Sequence, residues 1–226
     1  MLIYAKQPIY YIIKNYPNKI KTLYLAKDVE KKEYSRLMKM NFEVKRIPND
    51  AAGKMCKNAN HQGILAEVDD YELHPFKSFL DKDFVLVLSS LTDVGNIGAI
   101  VRSAYALGVD AIVVCGIKNL NLEPLLRTST GALFDMPFAL EHNIHNVMND
   151  LKTSGFCLYG ADMGGVDIRD VKVKQKRALV LGSEGEGLTS RIVSKLDEVV
   201  SIKMSHEFDS LNVSVAGAIL MDRMRI

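Results

Sequence analysis

Short apolar runs alternate with amphipathic stretches along the first third of the chain. The pattern predicts three strands, at residues 20–26, 42–47 and 63–68, and one helix, at residues 30–40. Alternating short strands and helices are typical of an α/β module. The pattern therefore predicts a small α/β domain over residues 1–68. An acidic, proline-containing stretch opens the predicted linker, residues 69–82.

A second series of elements follows from residue 83. Residues 84–88 are continuously apolar, as expected of a strand buried on both faces of a parallel sheet. The helix predicted over residues 96–107 ends at Gly108. Further strands are predicted at residues 111–114, 136–140, 156–160, 178–181 and 199–202, and further helices at 123–130, 146–154 and 211–224. This order predicts a second α/β domain over residues 83–226.

Composition places the chain among ordinary globular proteins, with 48% hydrophobic and 25% charged residues. No apolar run approaches the ~20 residues needed to span a bilayer, and the N-terminus lacks the layout of a signal peptide. We therefore expect a cytoplasmic protein with no membrane partner.

Charge is unevenly distributed. Residues 1–66 hold 13 Lys and Arg against 5 Asp and Glu, whereas residues 67–226 hold 16 against 22. This indicates either that the first segment meets a polyanion or that it presents a solvated lysine-rich surface. In the first case, the predicted phosphate contacts include Lys14, Lys19, Lys21, Lys54 and Lys57.

Cysteine and histidine spacing gives no metal signature. The three cysteines, Cys56, Cys115 and Cys157, are far apart and form no C-x-x-C pair, which argues against a disulfide framework and a zinc site. His142 and His145 are three residues apart, a spacing that would place them on one face if the predicted helix began earlier, but no third ligand is evident. We predict no bound metal.

Three segments, residues 93–102, 181–188 and 202–216, each follow a predicted strand. In open α/β sheets such loops meet at the carboxyl ends of the strands, where ligands bind. The second segment has the spacing G-x-x-G-x-G, which differs from both the dinucleotide fingerprint and the P-loop. Its carboxylates, Glu184 and Glu186, favour an uncharged or cationic ligand over a phosphate.

Individual polar residues in these segments have structural alternatives. Arg102 lies in an apolar helical stretch and must reach either a ligand or solvent. Ser210 and Asn212 precede the last predicted helix and are also typical N-capping residues.

Taken in order, the three segments resemble the motifs of the SpoU family of RNA 2′-O-ribose methyltransferases, a TrmH-like family of the SPOUT superfamily. The first matches at Asn96 and Arg102, the second at Gly182, Glu184, Gly185 and Gly187, and the third is S-L-N-V-S-V-A from Ser210 to Ala216. The resemblance covers about residues 84–226.

The first 68 residues resemble the N-terminal substrate-binding domain of members that act on ribosomal RNA, through His61-Gln62-Gly63-Ile64. The chain departs from the usual family pattern at Ala5 and His206, where glycine is common, and at Val94 and Lys203, where proline is common.

The resemblance implies a homodimer with a trefoil knot in the C-terminal domain and S-adenosylmethionine (AdoMet) as cofactor. It implies that the cofactor-binding residues are Leu181, Gly182, Gly187, Ile202, Met204 and Leu211. It implies that the catalytic residues are Asn96, Arg102, Glu184, Ser210 and Asn212. We interpret Arg102 as a charged clamp on RNA phosphate and the developing alkoxide. The proton acceptor stays open among Arg102, an RNA phosphate and water.

The resemblance is closest to enzymes that methylate a guanosine of 23S rRNA. Two alternatives within the class are a tRNA 2′-O-methyltransferase and an rRNA-methylating antibiotic-resistance enzyme. An alternative of another class is a non-catalytic RNA-binding protein that has kept the fold, and a further one is a generic nucleotide-binding α/β enzyme.

Overall fold

One compact unit combines the start of the chain with a later segment. The computed structural model describes residues 1–183, 185–206 and 210–226, and this unit contains Met1–Glu72 and Asn121–Phe134. Its elements are β1 (Leu2–Tyr4), α1 (Lys6–Asn15), β2 (Ile20–Leu25), α2 (Lys31–Leu37), β3 (Glu43–Arg46), α3 (Asn49–Met55), β4 (Ile64–Val68) and α5 (Leu122–Thr128). The strands form a mixed sheet in the order β1-β4-β2-β3, in which β2 and β3 are parallel and β4 is antiparallel to both neighbours.

The three strands and one helix predicted in this region are confirmed as β2, β3, β4 and α2. The predicted pattern does not include β1, α1 or α3. In α1 the buried positions Ile9, Ile12 and Ile13 have helical spacing, but Pro8 inside the first turn obscures the helix signal. Strand β1 has three residues, which is too short to establish a period of two.

Segment Asn121–Phe134 belongs to this unit through specific contacts. The Glu123 carboxylate accepts a hydrogen bond from the Leu2 backbone N–H at 3.1 Å. The Arg127 guanidinium lies 5.0 Å from the centre of the Tyr4 ring, a cation–π distance. The first unit therefore combines two segments that are not consecutive in the sequence. The limits predicted from sequence, residues 1–68, 69–82 and 83–226, stay a prediction.

The second unit contains Leu73–Leu120 and Asp135–Ile226, within the residues that the structure describes. Its elements are β5 (Phe84–Ser89), α4 (Val94–Leu107), β6 (Ala111–Cys115), β7 (Phe138–Glu141), α6 (Ile144–Thr153), β8 (Cys157–Asp167), β9 (Arg177–Leu181), α7 (Ser190–Val193), β10 (Glu198–Ser201) and α8 (Val213–Arg223). The six strands are all parallel, in the order β10-β8-β9-β5-β6-β7. The predicted α/β architecture with a parallel sheet is confirmed. Strands β5, β6 and β9 are buried along their whole length, which explains their continuous apolar runs.

Strand β8 is longer than predicted, because it continues past Gly160 to Asp167. Its pairing with β10 shifts abruptly: Val199 lies opposite Gly160, whereas the next residue, Val200, lies opposite Val166. Residues 161–165 therefore form a wide bulge, the β8 bulge. A Cβ on Gly165 would come within 2.7 Å of the backbone of β10, so glycine permits the close approach.

Helix α8 closes the unit by packing on α4 and β9. Its buried Gly217 lets the helix approach the sheet, since a Cβ there would lie 2.9 Å from Leu181 Cδ1. Within the described ranges, no helix is both long enough and apolar enough to cross a bilayer.

Candidate functional site

A cavity of about 950 Å³ lies in the second unit, where the loops after β9 and β10 meet the β8 bulge. The start of α8 completes its wall. Loops at the carboxyl ends of parallel strands are where ligands bind in open α/β sheets, as the sequence pattern predicts.

The loop after β9 folds back on itself at Gly182 and Gly187. The Gly187 N–H donates a hydrogen bond to the Ser183 carbonyl oxygen at 3.1 Å, in a short antiparallel bridge. A Cβ on Gly182 would collide with the backbone carbonyl of Gly187 and lie 2.7 Å from the Leu188 nitrogen. Gly185 and Gly187 have φ angles of 92° and 64°, which side chains disfavour. The glycine spacing is thus a requirement of the loop itself.

The structure brings most of the predicted site residues together at this cavity. Its walls include Leu181, Gly182, Gly187, Ile202, Met204, Ser210, Leu211 and Asn212. Glu184 lies outside the described residues. The roles predicted for these residues stay predictions.

A side-chain hydrogen bond joins the first and third motifs. Asn212 Nδ2 donates to Asn96 Oδ1 at 3.0 Å. Asn212 is also the N-cap of α8, because its Oδ1 accepts hydrogen bonds from the Ser214 N–H at 2.9 Å and the Ser214 hydroxyl at 2.6 Å. The capping alternative is therefore confirmed for Asn212, and the same amide reaches Asn96. Ser214, which orients that amide, is absent from the predicted site.

Asn96 is itself fixed by the N-terminus of α4. The carboxylate of the N-cap residue, Asp93, accepts a hydrogen bond from the Asn96 backbone N–H at 2.7 Å. Two helix caps therefore hold the two asparagines that meet beside the cavity.

Arg102 lies on the exposed side of α4, whose buried side carries Ile97, Ile100 and Val101. It is not part of the cavity wall. Across the ranges that the structure describes, its guanidinium has no hydrogen bond or ion pair. Arg102 therefore reaches solvent, one of the two alternatives that the sequence left open. Its guanidinium is accessible to an incoming ligand.

Carboxylates predominate among the charged groups around the cavity. Among its described lining residues, Asp162, Asp167 and Glu186 stand against one cation, Lys203. The Arg169 side chain bonds to Asp167 and, with a bond from the Arg169 backbone and the charge of Lys203, lowers the pKa of Asp167 to about 2. Because the Asp167 carboxylate is paired with Arg169, the unpaired charges of the described wall are Asp162 and Glu186 against Lys203. This small surplus of carboxylate favours a cationic ligand over an anionic one.

Asp162, Met163 and Asp167 are site residues that the sequence pattern missed. They belong to the β8 bulge and the strand beyond it, after the predicted end of the strand at residue 160. The available signal was the pair Gly164-Gly165, because glycine inside a strand marks a bulge or a close backbone approach.

Among the described residues, no group of three or more His, Cys, Asp and Glu side chains is arranged to hold a metal ion. His142 precedes α6 rather than lying on it, whereas His145 is in its first turn. Burial lowers the pKa of His145, and the charges of Arg191 and Lys195 add to this.

Comparison with known families gives two matches. Residues 83–222 match the SpoU rRNA Methylase family, and residues 2–74 match the family described as RNA 2′-O ribose methyltransferase substrate binding. A protein of Borreliella burgdorferi, described as an uncharacterized tRNA/rRNA methyltransferase, is 33% identical over 216 residues, which cover 88% of this chain and 94% of the relative.

Two solved structures extend the comparison. The SpoU methyltransferase AviRb from Streptomyces viridochromogenes, in complex with AdoMet, is 26% identical with a TM-score of 0.81, over 99% of this chain and 88% of that one. An AdoMet-bound rRNA methyltransferase from Sinorhizobium meliloti has a TM-score of 0.79 over 99% of this chain and 86% of that one. At 20% identity the second likeness shows the fold alone.

Proposed function

The chain belongs to the SpoU rRNA Methylase family, and on that premise we propose that it methylates a ribose 2′-hydroxyl of RNA with AdoMet as the methyl donor. One observation carries the proposal: residues of the second and third motifs line the same cavity, and beside it Asn212 of the third motif donates a hydrogen bond to Asn96 of the first.

The residues that line the cavity suit AdoMet in polarity and charge. Its glycine loop exposes backbone groups suited to a purine edge, and Leu181, Ile202 and Leu211 supply apolar surface for the ring faces. The sulfonium and ammonium charges of AdoMet match the surplus of carboxylates in the wall. We propose that these residues hold the cofactor together with Gly182, Gly187 and Met204. When bound, AdoMet supplies an electrophilic methyl group.

The proposed role of Arg102 is to hold the RNA and stabilise developing negative charge on the ribose oxygen. A guanidinium stays charged in proteins and offers no lone pair for a proton. An RNA phosphate or water is therefore the proposed proton acceptor. Asn96, Glu184, Ser210 and Asn212 are proposed to position the reacting groups.

The test is methyl transfer from methyl-labelled AdoMet to rRNA and to tRNA, followed by digestion to nucleosides and mass spectrometry. We expect label on a ribose 2′-oxygen. Label on a base would contradict the 2′-O assignment, and no transfer from a protein that binds RNA would favour a non-catalytic RNA-binding role.

We propose 23S rRNA as the substrate, with a guanosine as the target. The match of residues 2–74 to a substrate-binding family supports a dedicated RNA-binding region. The B. burgdorferi relative is described as tRNA/rRNA, so tRNA is the second candidate. Mapping of 2′-O-methyl groups in rRNA and tRNA from a deletion strain, with and without the restored gene, distinguishes the two. The antibiotic susceptibility of the deletion strain, compared with that of the strain with the restored gene, tests the resistance alternative.

We further propose that the protein is a cytoplasmic homodimer with a trefoil knot in the second unit. Exposed apolar side chains support the dimer: Met163 in the β8 bulge is 67% exposed, Val215 on α8 is 48% and Tyr105 on α4 is 45%. Light scattering should give a molar mass twice that of one chain. The double variant Tyr105→Asp with Val215→Asp should give the mass of a single chain. The control Met38→Asp, at an exposed apolar residue of α2's C-terminal end, should remain dimeric. A crystallographic backbone trace tests the knot.

A further inference from the structure

A second cavity, of about 1190 Å³, lies within the first unit. Its walls come from the start of α1, the loop after β2, helix α2 and the turn before β4. We call it the basic cleft, and the residues that define it are Lys6, Tyr10, Lys27, Lys32, Lys39 and Gln62.

Positive charge in the basic cleft is not neutralised by its own carboxylates. Asp28 pairs with Arg46 at 2.8 Å, and Glu33 pairs with Arg36 at 2.8 Å. This leaves Glu30 against four exposed lysines, which are Lys6, Lys27, Lys32 and Lys39. Within the described part of the chain, none of the four forms an ion pair. A concave surface with unpaired cations concentrates positive potential.

The floor of the basic cleft is a fixed backbone structure. Gln62, which lines the cleft, and Ala5, which precedes the lining residue Lys6, have φ angles of 55° and 83°, which residues with side chains rarely adopt. The Gln62 side chain accepts a hydrogen bond from the Lys6 N–H at 3.0 Å. A Cβ on Gly63 would lie 2.7 Å from the Lys27 side chain, so the stem of Lys27 rests directly on that glycine. Strained, well-fixed backbone is a feature of binding sites, which a loosely solvated lysine surface does not require.

Tyr10 provides an aromatic surface beside these cations. Burial raises its pKa, and the negative charge of Glu33 adds to the effect. The phenol therefore stays neutral at physiological pH and does not repel phosphate. Basic grooves with aromatic rings are typical of sites for unpaired nucleic acid, because phosphates meet the cations while bases stack. Double-stranded RNA is instead recognised by surfaces that span successive minor grooves.

We propose that the basic cleft binds an unpaired segment of the substrate RNA, with Lys6, Lys27, Lys32 and Lys39 on its phosphates and a base against Tyr10. This rests on the proposed function, since it identifies where the RNA is held. The assignment also differs from the lysines predicted from charge alone. Of those, Lys21 pairs with Asp69 at 3.2 Å, and the ammonium of Lys19 lies 5.5 Å from the centre of the Phe134 ring.

The test measures RNA affinity of the full chain without cofactor, by fluorescence anisotropy. The probes are a labelled 12-nucleotide oligoadenylate and a labelled hairpin duplex. The cleft variant is Lys27→Gln with Lys32→Gln and Lys39→Gln. The control removes the same charge from the other three lysines that charge alone predicts as phosphate contacts, with Lys14→Gln, Lys54→Gln and Lys57→Gln, since these are exposed and lie outside the cleft wall.

We expect the cleft variant to bind oligoadenylate at least tenfold more weakly, and the control less than threefold. The slope of log affinity against log salt should fall by about 2 in the cleft variant, at about 0.7 per phosphate contact. Tyr10→Ala should weaken binding and Tyr10→Phe should preserve it, with folding checked by circular dichroism. Equal losses in the cleft and control variants, or tighter binding of the hairpin than of oligoadenylate, would overturn the inference.

Cofactor affinity separates this inference from the proposed function. Calorimetric AdoMet binding should be the same in the wild type, the cleft variant and the control. If wild type binds no AdoMet and transfers no methyl group, the proposed function fails whatever the RNA affinities. If it transfers methyl groups while the basic cleft makes no specific contribution to RNA binding, only the inference fails.

Discussion

The two cavities described above, one in each unit, are built by different means. In the second unit, backbone loops after parallel strands form the walls, and glycines allow them to approach one another closely. In the first unit, the basic cleft is formed by charged side chains from helices and loops over a strained backbone. The first kind of site leaves a motif in the sequence, because fixed spacing is required. The second leaves an excess of lysine and one short marker, His61-Gln62-Gly63-Ile64, of which Gln62, Gly63 and Ile64 line the cleft.

The difference also predicts how each cavity responds to substitution. A side chain added at Gly182 meets the backbone of Gly187 and Leu188, so we expect a large loss from that single change. Each lysine of the basic cleft contributes part of a shared electrostatic potential, so losses there should be graded and depend on salt.

The largest expected effect is at Arg102, where a substitution should reduce methyl transfer to RNA but not AdoMet binding. Arg102→Ala should reduce methyl transfer by at least a hundredfold, since a charge that stabilises the transition state is lost. Calorimetric AdoMet affinity should change little, because Arg102 lies outside the cavity wall. Arg102→Lys should also be poor, since lysine lacks the planar bidentate geometry. Arg225→Ala is the matched control. Near-normal turnover of Arg102→Ala would remove this residue from the mechanism.

A second substitution tests the glycine loop. Gly182→Val should weaken AdoMet binding by more than tenfold, or ~1.4 kcal/mol. The reason is that its Cβ would meet the Gly187 carbonyl and distort the loop. Gly164→Ala is the control, because its nearest contact would be Asp162 Oδ1 at 3.8 Å. Unchanged calorimetric affinity of the valine variant would mean that the loop does not hold the cofactor.

The contact between the first and third motifs can be broken without removing the helix cap. Asn212→Asp keeps the oxygen that accepts from Ser214 but loses the amide that donates to Asn96. We expect about tenfold slower methyl transfer with nearly normal thermal stability. Asn212→Ala should in addition lose about 1 kcal/mol of stability with the cap. Normal turnover in the aspartate variant would assign Asn212 to capping alone.

The smallest expected effect concerns Ala5, the residue before Lys6 of the basic cleft. Ala5 has φ 83° and ψ 149°, a region that is nearly restricted to glycine. Ala5→Gly should therefore raise the free energy of unfolding by about 1 kcal/mol, measured by urea denaturation with circular dichroism. Ala51→Gly, in helix α3, should lower it by a similar amount. A decrease in both variants would show that Ala5 is unstrained.

The sequence determined the parallel sheet and most of the cavity built on it. Strands β5, β6 and β9 are buried on both faces and must be apolar throughout, so their positions can be found locally. The loops that follow such strands lie at one edge of the sheet by topology. The motif order therefore predicts that Gly182, Ile202 and Leu211 lie at that edge, and all three line the cavity.

Tertiary structure alone decided features that depend on distant pairings. The β8 bulge arises from a register shift against β10, a strand about 40 residues later, and it brings Asp162 and Asp167 to the cavity. Segment Asn121–Phe134 joins the first unit through contacts with residues about 120 positions earlier. A chain that begins at Glu72 would consequently leave this segment without the residues that it packs against.

The charge of the basic cleft likewise depends on pairings between residues that are distant in the sequence. Composition identifies the lysine excess of the first 66 residues, but it does not tell which lysines are neutralised. Lys21 meets Asp69 across 48 positions, whereas Lys27 rests on Gly63 and keeps its ammonium unpaired among the described residues. Hydrophobic periodicity and motif spacing are local and can be read from the sequence. Ion pairing and concavity are set by residues that only folding brings together.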